Sequence, residues 1–266
     1  MFDEIFDSIG DEINELVSEF YPQAVVGDLN FGITQYTFWL FVASIVLIVL
    51  VFAFVKRLSL VPHGWFVNGF ESIIEYIKND ICINILGDNW REHFPFLMSV
   101  FFFVLINNVV GIIPGMKPGT GTISVTAAIA VVVFVYFIAA GMKKRGVWGY
   151  IKSLAPEGVM FPINVLVWLI ELVSTILRPI TLAIRLFCNM FAGHIVLGSF
   201  AIMASLCCEP LTEALTLANA SGLLPSALFI LILLIIYAIE MFVAFIQAYV
   251  FTTLTAVYIN SAISEE

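Results

Sequence analysis

The stretch ELVSTILRPITLAIRLFCNMFAGH, Glu171 to His194, carries an acid, two arginines and a histidine inside an otherwise apolar run. On a helix, Glu171, Ser174, Arg178, Thr181, Arg185 and Asn189 follow one another at intervals of 3, 4, 3, 4 and 4 and form a single polar stripe. The run continues from about Phe161 to Leu206 with no turn cluster in its middle, so a single helix would be about 70 Å long at 1.5 Å per residue. No perpendicular membrane helix is that long, which leaves a hairpin of two spans or one strongly tilted helix. The final run, about Leu223 to Ala262, poses the same choice at about 60 Å.

The solvent of these runs is lipid. Hydrophobic residues make up 61% of the 266, and charged ones 12%, against about 25% in soluble domains. Mean hydropathy is +1.05. This composition describes an all-α polytopic membrane protein. Three ordinary spans precede the long runs, at about Tyr36 to Val55, Phe94 to Ile113 and Ile123 to Met142, the last two joined by the turn PGMKPGTG. Between the first and second lies WFVNGFESIIEYIKND, where Phe66, Phe70, Ile73, Ile74, Ile77 and Ile81 recur at helical spacing while Glu71, Glu75 and Lys78 take another face. That pattern predicts a surface amphipathic helix.

Charge orients the chain. With the N-terminus outside, the inner loops hold Lys56, Arg57, Lys78, Arg91, Lys143, Lys144, Arg145 and Lys152, and the outer ones hold only Lys117. Residues 1–34 read as an acidic extracytoplasmic tail, 35–262 as one integral membrane domain and 263–266 as a short cytoplasmic end. The tail is neither a basic transit peptide nor a signal peptide, which points to a bacterial plasma membrane or the inner membrane of an organelle that encodes the chain. The net charge of −9 argues against nucleic acid as a partner. Cys82, Cys188, Cys207 and Cys208 show no metal-ligand spacing, so neither metal nor cofactor is expected. Asn107 and Asn108 are expected to bond between helices, and Glu209, Glu213 and Asn219 to lie in an outer loop.

The stripe in the first long run must face protein or water, because an arginine at mid-membrane costs about 2.5–3.5 kcal/mol on insertion scales. Arg178 and Glu171 can alternatively snorkel to the inner interface. Arg185, with apolar turns on both sides, has no such escape. The second long run embeds Glu240, Gln247 and Tyr258 on one face. If the two helices are antiparallel with Arg185 opposite Gln247, His194 lies about 13 Å and Glu240 about 10 Å toward the outside. An imidazole and a carboxylate at similar depth suit either proton handling or a salt bridge tying two helices. Arg185 stays protonated, cannot relay protons, and needs an anion that the neighbouring residues of this chain do not supply.

RPITLAIRLFCNMFAGH resembles the signature of the subunit a family of F-type ATP synthases, the membrane stator beside a rotating ring of c subunits. The resemblance extends through FPFLMSVFFFVLINNVVGIIPG (Phe94 to Gly115) and IEMFVAFIQAYVFTTLTAVYI (Ile239 to Ile259), covering roughly residues 35 to 262. It implies two long tilted helices packed against the c-ring. It also implies Arg185 as the essential cation, Asn189 and Gln247 beside it, His194 and Glu240 in an outer half-channel, and Glu171, with Ser174 and Thr181, in an inner one. Cys188 departs from the glycine common at its position. The implied activity is proton translocation that drives ring rotation, with subunit b and the rest of the synthase as partners. A sodium-driven version of the same subunit is the nearest alternative. A secondary transporter would show paired repeats and broken helices, which are not evident. No GxxxxGK[ST] loop is present, so the chain is not expected to be an enzyme on its own.

Overall fold

The structure, a computed structural model, describes residues 24–26, 33–57, 64–113, 115–153, 163–213 and 223–264. Most of the acidic tail, His63, the Asn219 sequon and the last two residues therefore lie outside the described residues, as do the side chains of Cys207 and Cys208.

A small antiparallel ribbon pairs β1 (Ala24–Val26) with β2 (Ile33–Thr34) and leads directly into α1 (Gln35–Lys56). Thr34 caps α1, its hydroxyl accepting the Thr37 N–H at 3.4 Å, and Lys56 closes the last turn, where a cation complements the exposed carbonyls. Only Tyr36 and Ala43 of this helix are buried, while Phe41, Ile45, Val49 and Phe52 are more than half exposed. An apolar surface of that extent has hydrocarbon as its solvent. Among the described residues, five helices are long and apolar enough to cross a membrane.

Helix α2 (Trp65–Ile77) is the amphipathic segment expected from its periodicity. Its apolar side packs on protein: Phe70 stacks on Phe102 at 5.0 Å, and Ile73, Ile74 and Ile77 join the core. The chain then widens into a π-helical segment, Lys78–Ile83, and passes through single turns at Asn84–Leu86 and Gly87–Asn89 into α3 (Trp90–Ile112). Helix α3 starts four residues before the expected Phe94. It is the central post, burying His93, Leu97, Phe101, Val104, Asn107 and Asn108. Helix α4 (Ile123–Arg145) returns alongside and ends on Lys143, Lys144 and Arg145. At its end Gly146 adopts φ 74°, a left-handed conformation that only glycine takes without strain, and gives its N–H to the Met142 carbonyl. A short helix, α5 (Val147–Ser153), follows.

The two long runs are single helices, α6 (Ile163–Glu213) of 51 residues and α7 (Leu223–Ile263) of 41. Helix α6 runs on through Glu209 and Glu213, which the sequence reading places in a loop. Pro179 does not break α6: it is buried and the helix continues on both sides of it. Helix α7 packs against α3, α4 and α6 through small residues, Ala244, Ala248 and Ala256, which let helix backbones approach closely in a membrane.

Neither asparagine bonds across to another spanning helix as expected. Asn108 Oδ1 accepts from Thr120 at 3.0 Å in the loop beyond α3, whereas Asn107 gives Nδ2 back to the Phe103 carbonyl of its own helix at 2.8 Å. Asn107 Oδ1 lies beside Gly119, where any side chain would meet it: a Cβ there would stand 2.8 Å away.

Candidate functional site

Two contacts fix how α6 and α7 lie together. Glu240 rests its carboxylate on Gly193, so tightly that a Cβ at Gly193 would meet both Cδ and Oε1 at 2.7 Å. Farther along, the Arg178 guanidinium sits over the Tyr258 ring, 5.4 Å from its centroid. Moving from Gly193 to Arg178 runs up one helix while moving from Glu240 to Tyr258 runs down the other, so the pair is antiparallel. Interpolation between the contacts sets Gln247 across from the turn 186–189, next to Arg185.

The stripe expected on α6 is present but divided in its partners. Arg178 Nη2 pairs with Glu171 Oε1 at 2.7 Å, and Thr175 and Thr181 return their hydroxyls to the helix carbonyls of Glu171 and Arg178. Tyr150 of α5 stands near this pair, its phenol pushed up by burial while the Arg178 and Arg145 charges oppose that shift. Arg185 behaves differently. It is exposed on the outer face of the chain, among Leu177, Ile180 and Ile184, which are 45–48% exposed, and it makes no ion pair among the described residues. A permanent cation on a lipid-immersed surface calls for an anion or water from outside the chain.

Behind Arg185 the site is polar. Gln247 is only 7% exposed and its Nε2 finds no protein acceptor; the same holds for Nδ2 of Asn189, one turn along α6. Buried amide donors of this kind are paired by water or by a neighbouring chain in folded assemblies. Toward the Lys117 end, a cavity of about 290 Å³ is lined by His194, Tyr36, Lys117, Gly198 and Tyr237. Tyr237 precedes Glu240 by almost one helical turn. The structure therefore brings His194 and Glu240 to one level, with His194 lining the cavity and Glu240 against the adjacent Gly193. It separates them from Glu171, which lies beyond Arg178 in the opposite direction. Ser174 is half-buried on the same stretch as Glu171.

A sequence profile of the ATP synthase A chain family matches residues 37–260. The chain belongs to that family. Among its relatives, "ATP synthase subunit a 2" of Prosthecochloris aestuarii is 32% identical over 249 residues, 92% of this chain and 73% of that one. "ATP synthase subunit a" of Chlorobium phaeobacteroides is 35% identical over 250 residues, 92% of this chain and 69% of that one. The Nocardioides "ATP synthase subunit a" is 36% identical over 238 residues, 88% of this chain and 83% of that one. As a member of the ATP synthase A chain family, the protein is a membrane subunit of the synthase's F0 sector. The sequence reading missed Gly193, Tyr36 and Tyr237 as site neighbours. Gly193 alone carried a signal, a residue without a side chain immediately before the histidine of the stripe-bearing helix.

Proposed function

We propose that the chain is the proton-translocating stator subunit of an F-type ATP synthase in a bacterial plasma membrane, N-terminus outside. Protons enter from the outside through the cavity beside His194, pass Glu240 and the Asn189 region, and neutralise a carboxylate on a ring of c subunits. The neutral site turns into lipid. After nearly a full revolution it reaches the inner half-channel near Glu171, Ser174 and Thr181, releases its proton, and is drawn as an anion to Arg185. Gln247, buried behind the arginine, holds that turn polar. Each charge crossing gains about 2.3 kcal/mol per 100 mV of membrane potential. Arg185 prevents a direct leak because its guanidinium stays charged and cannot carry a proton between the two half-channels. Subunit b serves as the peripheral stalk, and the remaining synthase subunits convert rotation into chemistry at a separate catalytic head.

The observation that carries the reading is the exposed Arg185 without an ion-pair partner among the described residues, on the face formed by Leu177, Ile180 and Ile184. Its test is Arg185→Ala in the assembled synthase, with ATP-driven proton pumping followed by a quenched dye in inverted vesicles. Pumping is expected to vanish. Undiminished coupled pumping overturns the proposal.

A further inference from the structure

Helix α7 poses a problem of rotation. From Leu228 to Ile246 it reads LFILILLIIYAIEMFVAFI, and apart from Tyr237 and Glu240, which rests on Gly193 of α6, lipid tails are as apolar as these side chains, so on the side away from α6 little fixes which face turns to lipid. Yet Gln247 adjoins the Arg185 turn in only one rotation. Something polar has to hold the helix.

The hydroxyls near Gln247 mostly do not. Thr252, Thr253 and Thr255 give theirs to the Ala248, Tyr249 and Phe251 carbonyls of α7 itself, at 2.8–2.9 Å. Tyr249 reaches out instead. Its phenol donates to Asp80 Oδ2, a residue 169 positions earlier in the chain, and its ring lies 5.9 Å from that of Tyr76. Asp80 sits in the π-helical segment Lys78–Ile83, whose neighbours Ile81 and Cys82 are fully buried in the core, so the carboxylate is carried on an anchored turn. π-Helical turns of this kind recur at functional sites. Tyr249 and Gln247 are two residues apart and project to nearly opposite sides of the helix. A hydrogen bond that holds one therefore sets the direction of the other.

We propose that Asp80 is a positioning residue for the ion path: by accepting the Tyr249 hydroxyl it fixes the rotation of α7 and hence the seat of Gln247 against the Arg185 turn. The inference rests on the proton-path reading given above. It differs from a relay role for Asp80, because an amide oxygen still accepts the phenol's hydrogen bond, more weakly than a carboxylate, but carries no proton.

Three variants of the assembled synthase test it: Asp80→Ala, Asp80→Asn and Tyr249→Phe. The readout is passive proton conductance of vesicles stripped of the catalytic head, normalised to the amount of subunit in the purified complex. Asp80→Ala and Tyr249→Phe are each expected to lose at least about threefold, the population change that an average interhelical hydrogen bond in a membrane protein sustains. Asp80→Asn is expected to retain most of the conductance, a rescue that neither a relay nor a purely charge-based role permits. Tyr249→Phe removes one oxygen and keeps the ring against Tyr76, so it decides the matter if Asp80→Ala lowers the amount of assembled subunit. Wild-type conductance in Tyr249→Phe, or a loss in Asp80→Asn as deep as in Asp80→Ala, overturns the proposal. ATP-driven pumping by Arg185→Ala is measured alongside: if it matches wild type, the proton-path reading fails, whereas normal conductance in Tyr249→Phe beside an Arg185→Ala that does not pump refutes the positioning role alone.

Discussion

Gly193→Ala separates folding from function at the place where α6 and α7 touch. The added methyl would stand 2.7 Å from both Cδ and Oε1 of Glu240, against 3.4–4 Å for an ordinary contact. The carboxyl group must therefore withdraw by about 1 Å to recover van der Waals separation. Its withdrawal is inexpensive, because Glu240 ends in a flexible arm: an off-rotamer side chain costs about 0.5–1.5 kcal/mol. Replacing glycine by alanine inside a helix returns about 1 kcal/mol. The two effects offset each other, so thermal stability and the quantity of assembled subunit should match wild type. Proton entry should not, since a displacement of about 1 Å in a reacting group can cost about 100-fold. The assay is ATP-driven dye quenching in inverted vesicles, with passive conductance after removal of the head. Adding Glu240→Asp, which shortens the arm by one methylene, should restore part of the flux. Wild-type flux in Gly193→Ala at full assembly would show that the Glu240 carboxylate has no need of its seat on Gly193.

Gly141→Ala should be destabilising, because the new methyl would meet the rigid Tyr150 ring at 2.6 and 2.7 Å and the Ala262 carbonyl at 3.1 Å. Overpacking of this kind costs about 1–3 kcal/mol and should lower the melting temperature of the purified complex. Gly69→Ala is the counterpart, with nothing within 4 Å of the new methyl, and should raise helix stability by about 1 kcal/mol in the same melting experiment. Thr120→Val removes the donor to Asn108 in a fully buried pair and should cost about 1–3 kcal/mol by thermal denaturation, with Thr120→Ser restoring it. Arg178→Gln frees a half-exposed Glu171, and because such a pair contributes about 1 kcal/mol or less, assembly should hold while pumping falls; equal pumping would detach the pair from the inner path.

Helix ends were readable wherever local chemistry marks them: Lys56 and Arg57 at the end of α1, the glycine- and proline-rich turn PGMKPGTG after α3, and the Lys143 to Arg145 cluster closing α4. The hairpin-or-helix question for α6 and α7 was left open by hydrophobic periodicity, which reports local backbone conformation and says nothing about how far a helix continues; only the family resemblance implied two long helices. In α6, Pro179 and the absence of a turn cluster pull in opposite directions, and tertiary packing prevails. For the site, composition and spacing isolated Arg185 and set His194 and Glu240 at one level. The contacts that seat those groups lay beyond reach. Glu240 on Gly193 depends on one absent side chain, and Tyr249 on Asp80 joins residues 169 positions apart through a π-helical turn that no pattern in KNDICI announces. The apolar side of α2 was legible as a stripe, but the choice between lipid and α3 as its cover belongs to the third dimension.

The outward placing of Arg185 also bears on the life of the chain before it meets its ring. A solitary copy in the bilayer holds a bare guanidinium toward oil, at about 2.5–3.5 kcal/mol on insertion scales, a factor of roughly a hundred or more in favour of any state that shields it. On the proposed reading, orphaned copies should therefore be poor tenants of the membrane, drawn to snorkelling distortions, and docking against a ring carboxylate would relieve them. A cell that builds the ring first and adds this subunit afterwards avoids both the waste and an open conduit.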